Sequence, residues 1–427
     1  MTSLPRVARL SIASLVVTLH VLAFMAYGRE VALPWNNARD AEIAFVDENA
    51  PLYDFTLPHW NRLLPMRWDS IHYEAFALRG FSRCESQDLR NVDLPPILRR
   101  CGFHFYPGYP LVARALRSIV HVPVDIALLV VSVLASFGFV YLFTGRWLTA
   151  YLGVRRTVTS LVLFATFTTG FTTVTGQTEP LLLFLLLGAF ACLERKLVFE
   201  GALLAGAATA IRVNGIAVGA AYFVGVCARD FVEAGGFRIP PKKLARAFLV
   251  GVVSLWGQLL ISAYFARTYH DPLLYFHAHA SAYDHSPELL PSSASFFDAI
   301  TKGMQEGLFV LFGFFWLALG LRPALRAFPV PERAFWYTAT FLLLGVSLVG
   351  SAGLAYAGMN RYWLAVLPLF FAIATVAEWR PSAVVLWTAF CLWHGWTVSL
   401  PVYVSKHTLL TKTSPFDDSS FFPRTVD

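Results

Sequence analysis

The sequence VPVDIALLVVSVLASFGFVYLFT occupies residues 122–144 and contains one charged side chain, Asp125. A helix of this length is about 35 Å long, so it can cross the ~30 Å hydrocarbon core of a bilayer. Similar apolar stretches recur along the chain, and they predict an all-α polytopic membrane protein with about eleven transmembrane helices. The predicted spans are 10–28, 122–144, 157–174, 179–193, 198–211, 214–228, 247–266, 305–321, 335–353, 361–378 and 382–400.

The composition favours one integral-membrane domain over residues 1–427, because 56 % of the residues are hydrophobic and only 14 % are charged. The net charge of +7 falls mainly in short loops between alternate spans. This placement indicates orientation by the positive-inside rule, with the N-terminus inside, and argues against nucleic-acid binding. The basic residues of these loops are Arg6, Arg9, Arg146, Arg155, Arg156, Arg195, Lys196, Arg229, Arg238, Lys242, Lys243, Arg246, Arg322, Arg326, Arg333 and Arg380.

Polar character is concentrated in two predicted extracytoplasmic loops, 29–121 and 267–304, and the tail 401–427 falls on the same side. The first loop contains Arg67-Trp68-Asp69-Ser70, followed by His72 and Tyr73. Within residues 70–81, Ile71, Ala75 and Leu78 stand at helical spacing. This spacing predicts a juxtamembrane helix that lies on the membrane surface.

Charged residues at the ends of predicted spans point to a site. Glu179, Arg212 and Arg361 all reach the same outer face as Asp69 in this topology. An ionisable group near a bilayer is costly unless it is paired or lines a wet cavity, so a shared site is expected. The alternative for each residue is an ordinary helix-end side chain that extends towards water.

The chemistry of these groups is coherent. A carboxylate such as Asp69 is suited to take a proton from an acceptor hydroxyl, which makes it the predicted catalytic base. Arg212 and Arg361 are predicted to bind the phosphate of a donor and to stabilise it as a leaving group. The predicted substrate-binding residues are Trp68, His72, Tyr73, Tyr106, Glu179 and Asn214. Aromatic residues at this depth also form ordinary interfacial belts, and that interpretation stays open.

The second loop is rich in histidine, with His270, His277, His279 and His285 close to Asp271 and Asp284. Such a group is able to bind a divalent metal, but no Asp-x-Asp pair accompanies it, so we expect no metal and no other cofactor. A role in binding phosphate or diphosphate is favoured for His277. Cys84 and Cys101 share the first outer loop, where disulfides persist, and a bridge between them is a hypothesis.

Several segments, in order over nearly the whole chain, resemble the motif blocks of PIG-V-type mannosyltransferases, a GPI mannosyltransferase-like family. They are 67–73 (RWDSIHY), 77–81 (ALRGF), 103–111 (FHFYPGYPL), 178–182 (TEPLL), 210–215 (AIRVNG), 271–273 (DPL), 360–362 (NRY) and 367–369 (LPL). Two positions depart from the family pattern: Gly108 stands where Leu is more usual, and Pro180 stands where Ser is expected.

The resemblance implies a GT-C glycosyltransferase fold with its site outside the membrane. It also implies a polyprenyl-phosphate-sugar donor, typically of mannose, a lipid or glycan acceptor, and an inverting displacement with Asp69 as base. A bacterial inner membrane with a periplasmic site is expected, and an endoplasmic reticulum membrane with a luminal site is the alternative. Two other classes compete: a lipid or small-molecule transporter or flippase, and a non-catalytic subunit. Transporters usually bind near the bilayer midplane, whereas the charges here lie at one end of the spans.

Overall fold

Helices are the regular elements of the chain wherever the structure describes it. The computed structural model describes residues 4–31, 69–80, 105–236, 240–277, 304–351 and 359–399, and these contain no strand. In chain order the helices are α1 (Arg6–Val31), α2 (Asp69–Arg79), α3 (Gly108–Val120), α4 (Val124–Phe143), α5 (Arg146–Ala165), α6 (Glu179–Glu194), α7 (Val198–Ile211), α8 (Gly215–Glu233), α9 (Pro241–Val253), α10 (Trp256–Tyr269), α11 (Met304–Leu325), α12 (Val330–Ser351), α13 (Met359–Trp363), α14 (Leu367–Val376) and α15 (Ser382–His394). A 3₁₀ helix covers Gly170–Val174, and a π-helix covers Gly395–Ser399.

The apolar helices are those of an all-α, membrane-embedded protein. Among the described residues, four helical stretches are long and apolar enough to cross a bilayer, and the bent pair α9–α10 would make a fifth. The four stretches are Arg6–Ala26, Val124–Phe143, Gly215–Glu233 and Leu308–Leu325. Several of the remaining predicted spans overlap helices that are shorter or interrupted, and the number of about eleven spans stays a prediction.

Three predicted spans are interrupted in the structure. The predicted span 157–174 stops being α-helical at Ala165, where a threonine-rich segment begins and threonine hydroxyls bond to carbonyls three or four residues earlier. The predicted span 247–266 breaks between α9 and α10, whose axes meet at 60°. The predicted span 361–378 breaks between α13 and α14, and Pro368 occupies the first turn of α14, where a proline is tolerated.

Helix α2 confirms the helix predicted over residues 70–81, and Gly80 ends it with a positive φ of 80°. Its buried face is formed by Ser70, Tyr73, Glu74 and Ala77, spaced as one side of a helix. This face packs against α3 and α4. Of the predicted apolar stripe, the structure describes the side chain of Leu78, which is half-buried.

The helical bundle has two chemically different ends. Helix α6 runs for 16 residues, about 24 Å, from Glu179 to Glu194, and α7 runs back to Ile211. Glu179 and Arg212 therefore share one end, while Arg195 lies at the other. The ion pairs Arg156–Glu378 and Arg229–Glu332 also lie at the Arg195 end. The basic loops of the sequence thus gather at the end opposite to Glu179 and Arg212.

Gly108 is required by a close approach of α3 to the end of α7. A Cβ atom on Gly108 would lie 2.4 Å from the Ala210 carbonyl oxygen and 2.7 Å from its carbon, so a leucine here would collide with backbone. Pro180 is equally compatible with its position, because it stands in the first turn of α6, where no helical hydrogen bond is lost.

We expect Gly108→Leu to lower the free energy of unfolding by about 1–3 kcal/mol or more, because the collision is with backbone that cannot rotate away. Thermal unfolding of the purified protein in detergent measures this loss. Gly345→Ala is the control, because a Cβ atom on Gly345 meets nothing within 4 Å. A Gly108→Leu protein as stable as the parent would contradict this packing.

Candidate functional site

Four charged side chains meet at one end of the bundle, and they are Asp69, Glu179, Arg212 and Arg361. Arg361 Nη2 donates hydrogen bonds to Asp69 Oδ2 at 3.1 Å and to Glu179 Oε1 at 2.7 Å, and Arg361 Nε donates to the same Glu179 oxygen at 3.0 Å. Arg212 Nη1 donates to Glu179 Oε1 at 2.5 Å. Residues far apart in the sequence are thus joined in one network, which we call the charged cluster.

The local structure of each residue accounts for its place in the charged cluster. Asp69 is the first residue of α2 and Glu179 the first of α6, where the helix dipole favours a negative charge. Arg212 is extended, with φ −163° and ψ 156°, in the short link between α7 and α8. Arg361 belongs to the single-turn helix α13, which packs against α11 and α12.

The charged cluster balances two carboxylates against two guanidinium groups, as buried charges require. Its members differ in access to solvent. The side chain of Glu179 is 5 % exposed and that of Arg361 is 6 % exposed, whereas that of Asp69 is 25 % exposed. Asp69 is therefore the carboxylate of the charged cluster that a substrate reaches most readily.

Gln177 belongs to the site and was missed by the sequence analysis. It is fully buried, its Oε1 accepts a hydrogen bond from Arg361 Nη2 at 2.7 Å, and its Nε2 donates to Ser70 Oγ at 2.8 Å. Because an arginine only donates, the amide oxygen must face Arg361. Gln177 thus connects α2 to the start of α6. The available signal was its position two residues before Glu179.

A small cavity, open on one side, lies beside the charged cluster. It is lined by Glu179, Leu182, Leu183, Arg212, Asn214, Arg361 and Ala365. Glu179 Oε2 and Asn214 Oδ1 are buried and have no hydrogen-bond partner in the described ranges. Arg212 uses Nη1 for Glu179 and Thr178, and its Nη2 and Nε donate to no described residue. The cavity lining therefore includes residues with unused acceptors and unused donors.

The guanidinium group of Arg212 is held in a fixed plane. Its central carbon lies 4.5 Å from the centre of the Tyr362 ring, and its Nη1 donates to Thr178 Oγ1 at 3.3 Å. A guanidinium that is stacked and hydrogen-bonded on one edge loses little freedom when its other edge binds a planar oxygen pair.

The two tyrosines predicted to bind substrate, Tyr73 and Tyr106, differ in their position relative to the charged cluster. Tyr73 packs edge-on against Phe105 and Tyr109 beside the charged cluster. Burial and the negative charge of Asp69 raise the pKa of Tyr73, so its hydroxyl stays protonated. Tyr106 contacts α10 and the residues after it instead: its hydroxyl donates to Gln258 of α10, and its ring centre lies 4.3 Å from that of Tyr275. No described contact links Tyr106 to the charged cluster.

His277 is not part of the charged cluster within the described part of the chain. Its Nδ1 lies 2.7 Å from Asp271 Oδ2, and its side chain is 61 % exposed. Asp271 also accepts a hydrogen bond from the Leu273 backbone at 2.9 Å. The structure therefore gives His277 a local partner, and it does not place this residue beside Arg212 and Arg361, with which the sequence analysis grouped it.

Other predicted residues lie outside the described part of the chain. These are Trp68, the side chain of His72, His279, Asp284, His285 and the proposed Cys84–Cys101 bridge. The described cysteines, Cys192, Cys227 and Cys391, are free thiols. The described residues contain no group of three or more His, Cys, Asp or Glu side chains that could hold a metal ion.

Comparisons with known proteins add no family or function. No family model, no curated protein and no solved structure matches this chain.

Proposed function

We propose that this protein is a membrane glycosyltransferase of the GT-C type. It moves a sugar, mannose by the motif resemblance, from a polyprenyl-phosphate donor to a lipid or glycan acceptor. One observation carries the proposal: a partly exposed carboxylate, Asp69, shares a network with Arg212, which lies beside a cavity and has two nitrogens that donate to no described residue. The proposed site faces the bacterial periplasm or, as the alternative, the lumen of the endoplasmic reticulum.

The proposed reaction is a single displacement with inversion. Asp69 takes the proton of the acceptor hydroxyl, the acceptor oxygen bonds to C1 of the sugar, and the bond from C1 to the phosphate oxygen breaks. The departing polyprenyl phosphate keeps the electron pair. One base suffices, whereas a retaining mechanism needs a second carboxylate as nucleophile.

Arg212 is the proposed phosphate ligand. Its Nε and Nη2 form the two-pronged edge that matches two phosphate oxygens, and a fixed positive charge stabilises the departing phosphate. Glu179 Oε2 and Asn214 Oδ1 are acceptors, so they suit sugar hydroxyls and not the phosphate. The cavity residues therefore divide into a phosphate-binding side and a sugar-binding side.

Arg361 has a second proposed role, because it is shared between Asp69 and Glu179. A guanidinium neighbour weakens a carboxylate as a base. A phosphate that attracts Arg361 would loosen its contact with Asp69, and Asp69 would then become the stronger base that the reaction needs. The charged cluster in this way couples donor binding to activation of the base.

The test is to incubate the purified protein with radiolabelled polyprenyl-phosphate-mannose and a panel of lipid and glycan acceptors. We expect a labelled product that depends on the donor and on an acceptor. Failure to form a product over a broad acceptor panel, with no binding of the donor, would reject the proposal.

We expect Arg212→Gln to raise the KM for the lipid-phosphate donor by about tenfold to a hundredfold, because a charge-assisted pair of hydrogen bonds contributes roughly 1.5–3 kcal/mol. The KM of Arg212→Lys should lie between those of the parent protein and Arg212→Gln, because lysine keeps the positive charge and lacks the planar guanidinium. Initial rates against donor concentration measure the change. Arg156→Gln is the control, because it removes an equal charge from the opposite end. A KM unchanged in Arg212→Gln would remove this residue from the phosphate site.

A further inference from the structure

A second cluster of arginines lies at the end of the bundle opposite to the charged cluster. Arg9 of α1 and Arg195, just after α6, both pack on Trp147 of α5. Their central guanidinium carbons lie 5.6 Å and 4.7 Å from the centre of the Trp147 ring. Arg9 also lies 3.9 Å from the ring centre of Tyr141 in α4. We call these four residues the arginine–tryptophan cluster.

No carboxylate of the described residues forms an ion pair with this cluster. Neither Arg9 nor Arg195 forms an ion pair with a described residue, and the charge of Arg6 adds to theirs. The contrast is with Arg156, Arg229 and Arg246, each of which is paired with an Asp or Glu at the same end. Within the described chain, Arg9 and Arg195 therefore bring two guanidinium groups without a carboxylate partner onto one aromatic ring.

Arg9 is anchored within the cluster by a hydrogen bond to backbone. Arg9 Nη2 donates to the Tyr141 carbonyl at 2.7 Å, which fixes its guanidinium against the aromatic rings. Trp147 is 5 % exposed, and neither its Nε1 nor the Nε of Arg9 has an acceptor in the described part of the chain. Buried donors without acceptors are uncommon in proteins. The Nε of Arg9 and the two guanidinium groups make the cluster suited to a ligand that is rich in oxygen and negatively charged.

Apolar side chains next to the cluster in sequence indicate what carries that anion. Val7 and Leu10 flank Arg9 on α1, and Leu197 and Phe199 follow Arg195; all four are exposed. A ligand with a negative headgroup and hydrocarbon chains suits both features, because the arginines attract its headgroup and the same segments expose apolar side chains to its chains.

We propose that the arginine–tryptophan cluster is a binding site for the phosphate group of an anionic phospholipid. It is independent of the proposed glycosyltransferase site, from which one helix length separates it. Because Arg9 is already positioned, the phosphate binds without the loss of side-chain freedom that a mobile surface arginine would suffer.

The test is native mass spectrometry of the full-length protein, released from nanodiscs that contain equal amounts of phosphatidylglycerol and phosphatidylcholine. We expect the parent protein to retain at least one phosphatidylglycerol molecule in preference to phosphatidylcholine. Arg195→Gln and Arg9→Gln should each weaken this retention about tenfold, the effect of losing one charge-assisted contact. Arg195 is exposed, so its substitution is expected to leave folding intact. Arg195→Gln therefore still tests the site if Arg9→Gln destabilises the protein.

Arg156→Gln is the matched control, because it removes one positive charge from the same end but breaks a pair with Glu378. Its phosphatidylglycerol retention should equal that of the parent protein. If phosphatidylglycerol retention falls equally in all three variants, the effect depends only on net charge, and the proposal of a specific site is wrong. Displacement of the lipid by an equal concentration of inorganic phosphate would overturn its assignment to a phospholipid.

Discussion

Asp69→Asn is expected to abolish sugar transfer, with a loss of roughly 10²–10⁴-fold in turnover, the usual contribution of a positioned general base. Asparagine has the shape of aspartate, and its oxygen is still able to accept the hydrogen bond that Arg361 donates at 3.1 Å. What it lacks is the negative charge and the ability to take a proton. The substitution therefore tests the chemistry of the residue and leaves its packing largely unchanged.

Three measurements separate the outcomes of Asp69→Asn. Turnover with polyprenyl-phosphate-mannose should collapse, while donor binding and thermal unfolding stay close to those of the parent protein. Glu378→Gln is the matched control, because Glu378 is also a carboxylate paired with an arginine, but it lies at the opposite end of the bundle. Near-normal turnover in Asp69→Asn would exclude this residue as the base.

The sequence was enough to predict which charged residues share one end of the bundle, because charged residues are rare in this chain. In a sequence with 14 % charged residues, a carboxylate or guanidinium at the end of an apolar segment is conspicuous, and its side follows from counting spans. Asp69, Glu179, Arg212 and Arg361 were grouped in this way. The contacts between these residues could not be predicted in this way, because counting spans assigns a residue to a side of the membrane and does not identify the residue it binds.

Neutral groups escaped the same reasoning. Gln177 carries no charge and follows a threonine-rich segment, so nothing in its residue type separates it from other polar residues near a helix start. Its role depends on the fold, which brings Ser70 to one end of its amide and Arg361 to the other. His277 is a different case: its residue type led to a predicted phosphate-binding role, and the contact described for it is a local one, with Asp271.

Breaks within apolar segments could not be predicted from hydropathy, because a window average does not register backbone geometry. The bend between α9 and α10 falls at Ser254 and Leu255 within a continuously apolar stretch. Trp256, just after the bend, donates its indole hydrogen to the Leu203 carbonyl. Residues distant in sequence therefore help to hold this bend in place.

Arg361→Gln is expected to be the most destabilising single change in the charged cluster, with a loss of about 3–5 kcal/mol in the free energy of unfolding. The guanidinium group of Arg361 binds Asp69, Gln177 and Glu179, and the Glu179 side chain is 5 % exposed. Without Arg361, Glu179 keeps one cationic partner, Arg212, and Asp69 loses the partner described for it. A buried carboxylate with reduced compensation is the costly outcome.

The double variant Glu179→Gln/Arg361→Gln shows whether the stability is lost because the ion pairs are lost or because the charge of Glu179 is left buried without compensation. If the cost arises because Glu179 is left buried beside too little positive charge, removing its charge as well should restore part of the lost stability. Arg156→Gln provides the reference for an exposed pair, whose partners are 25 % and 35 % exposed, and it should cost at most about 1 kcal/mol. Thermal unfolding in one detergent compares all three proteins. If the Arg361→Gln protein is as stable as the Arg156→Gln protein, the charged cluster is hydrated enough to tolerate an unpaired carboxylate. The low exposure of Glu179 would then not describe the working protein.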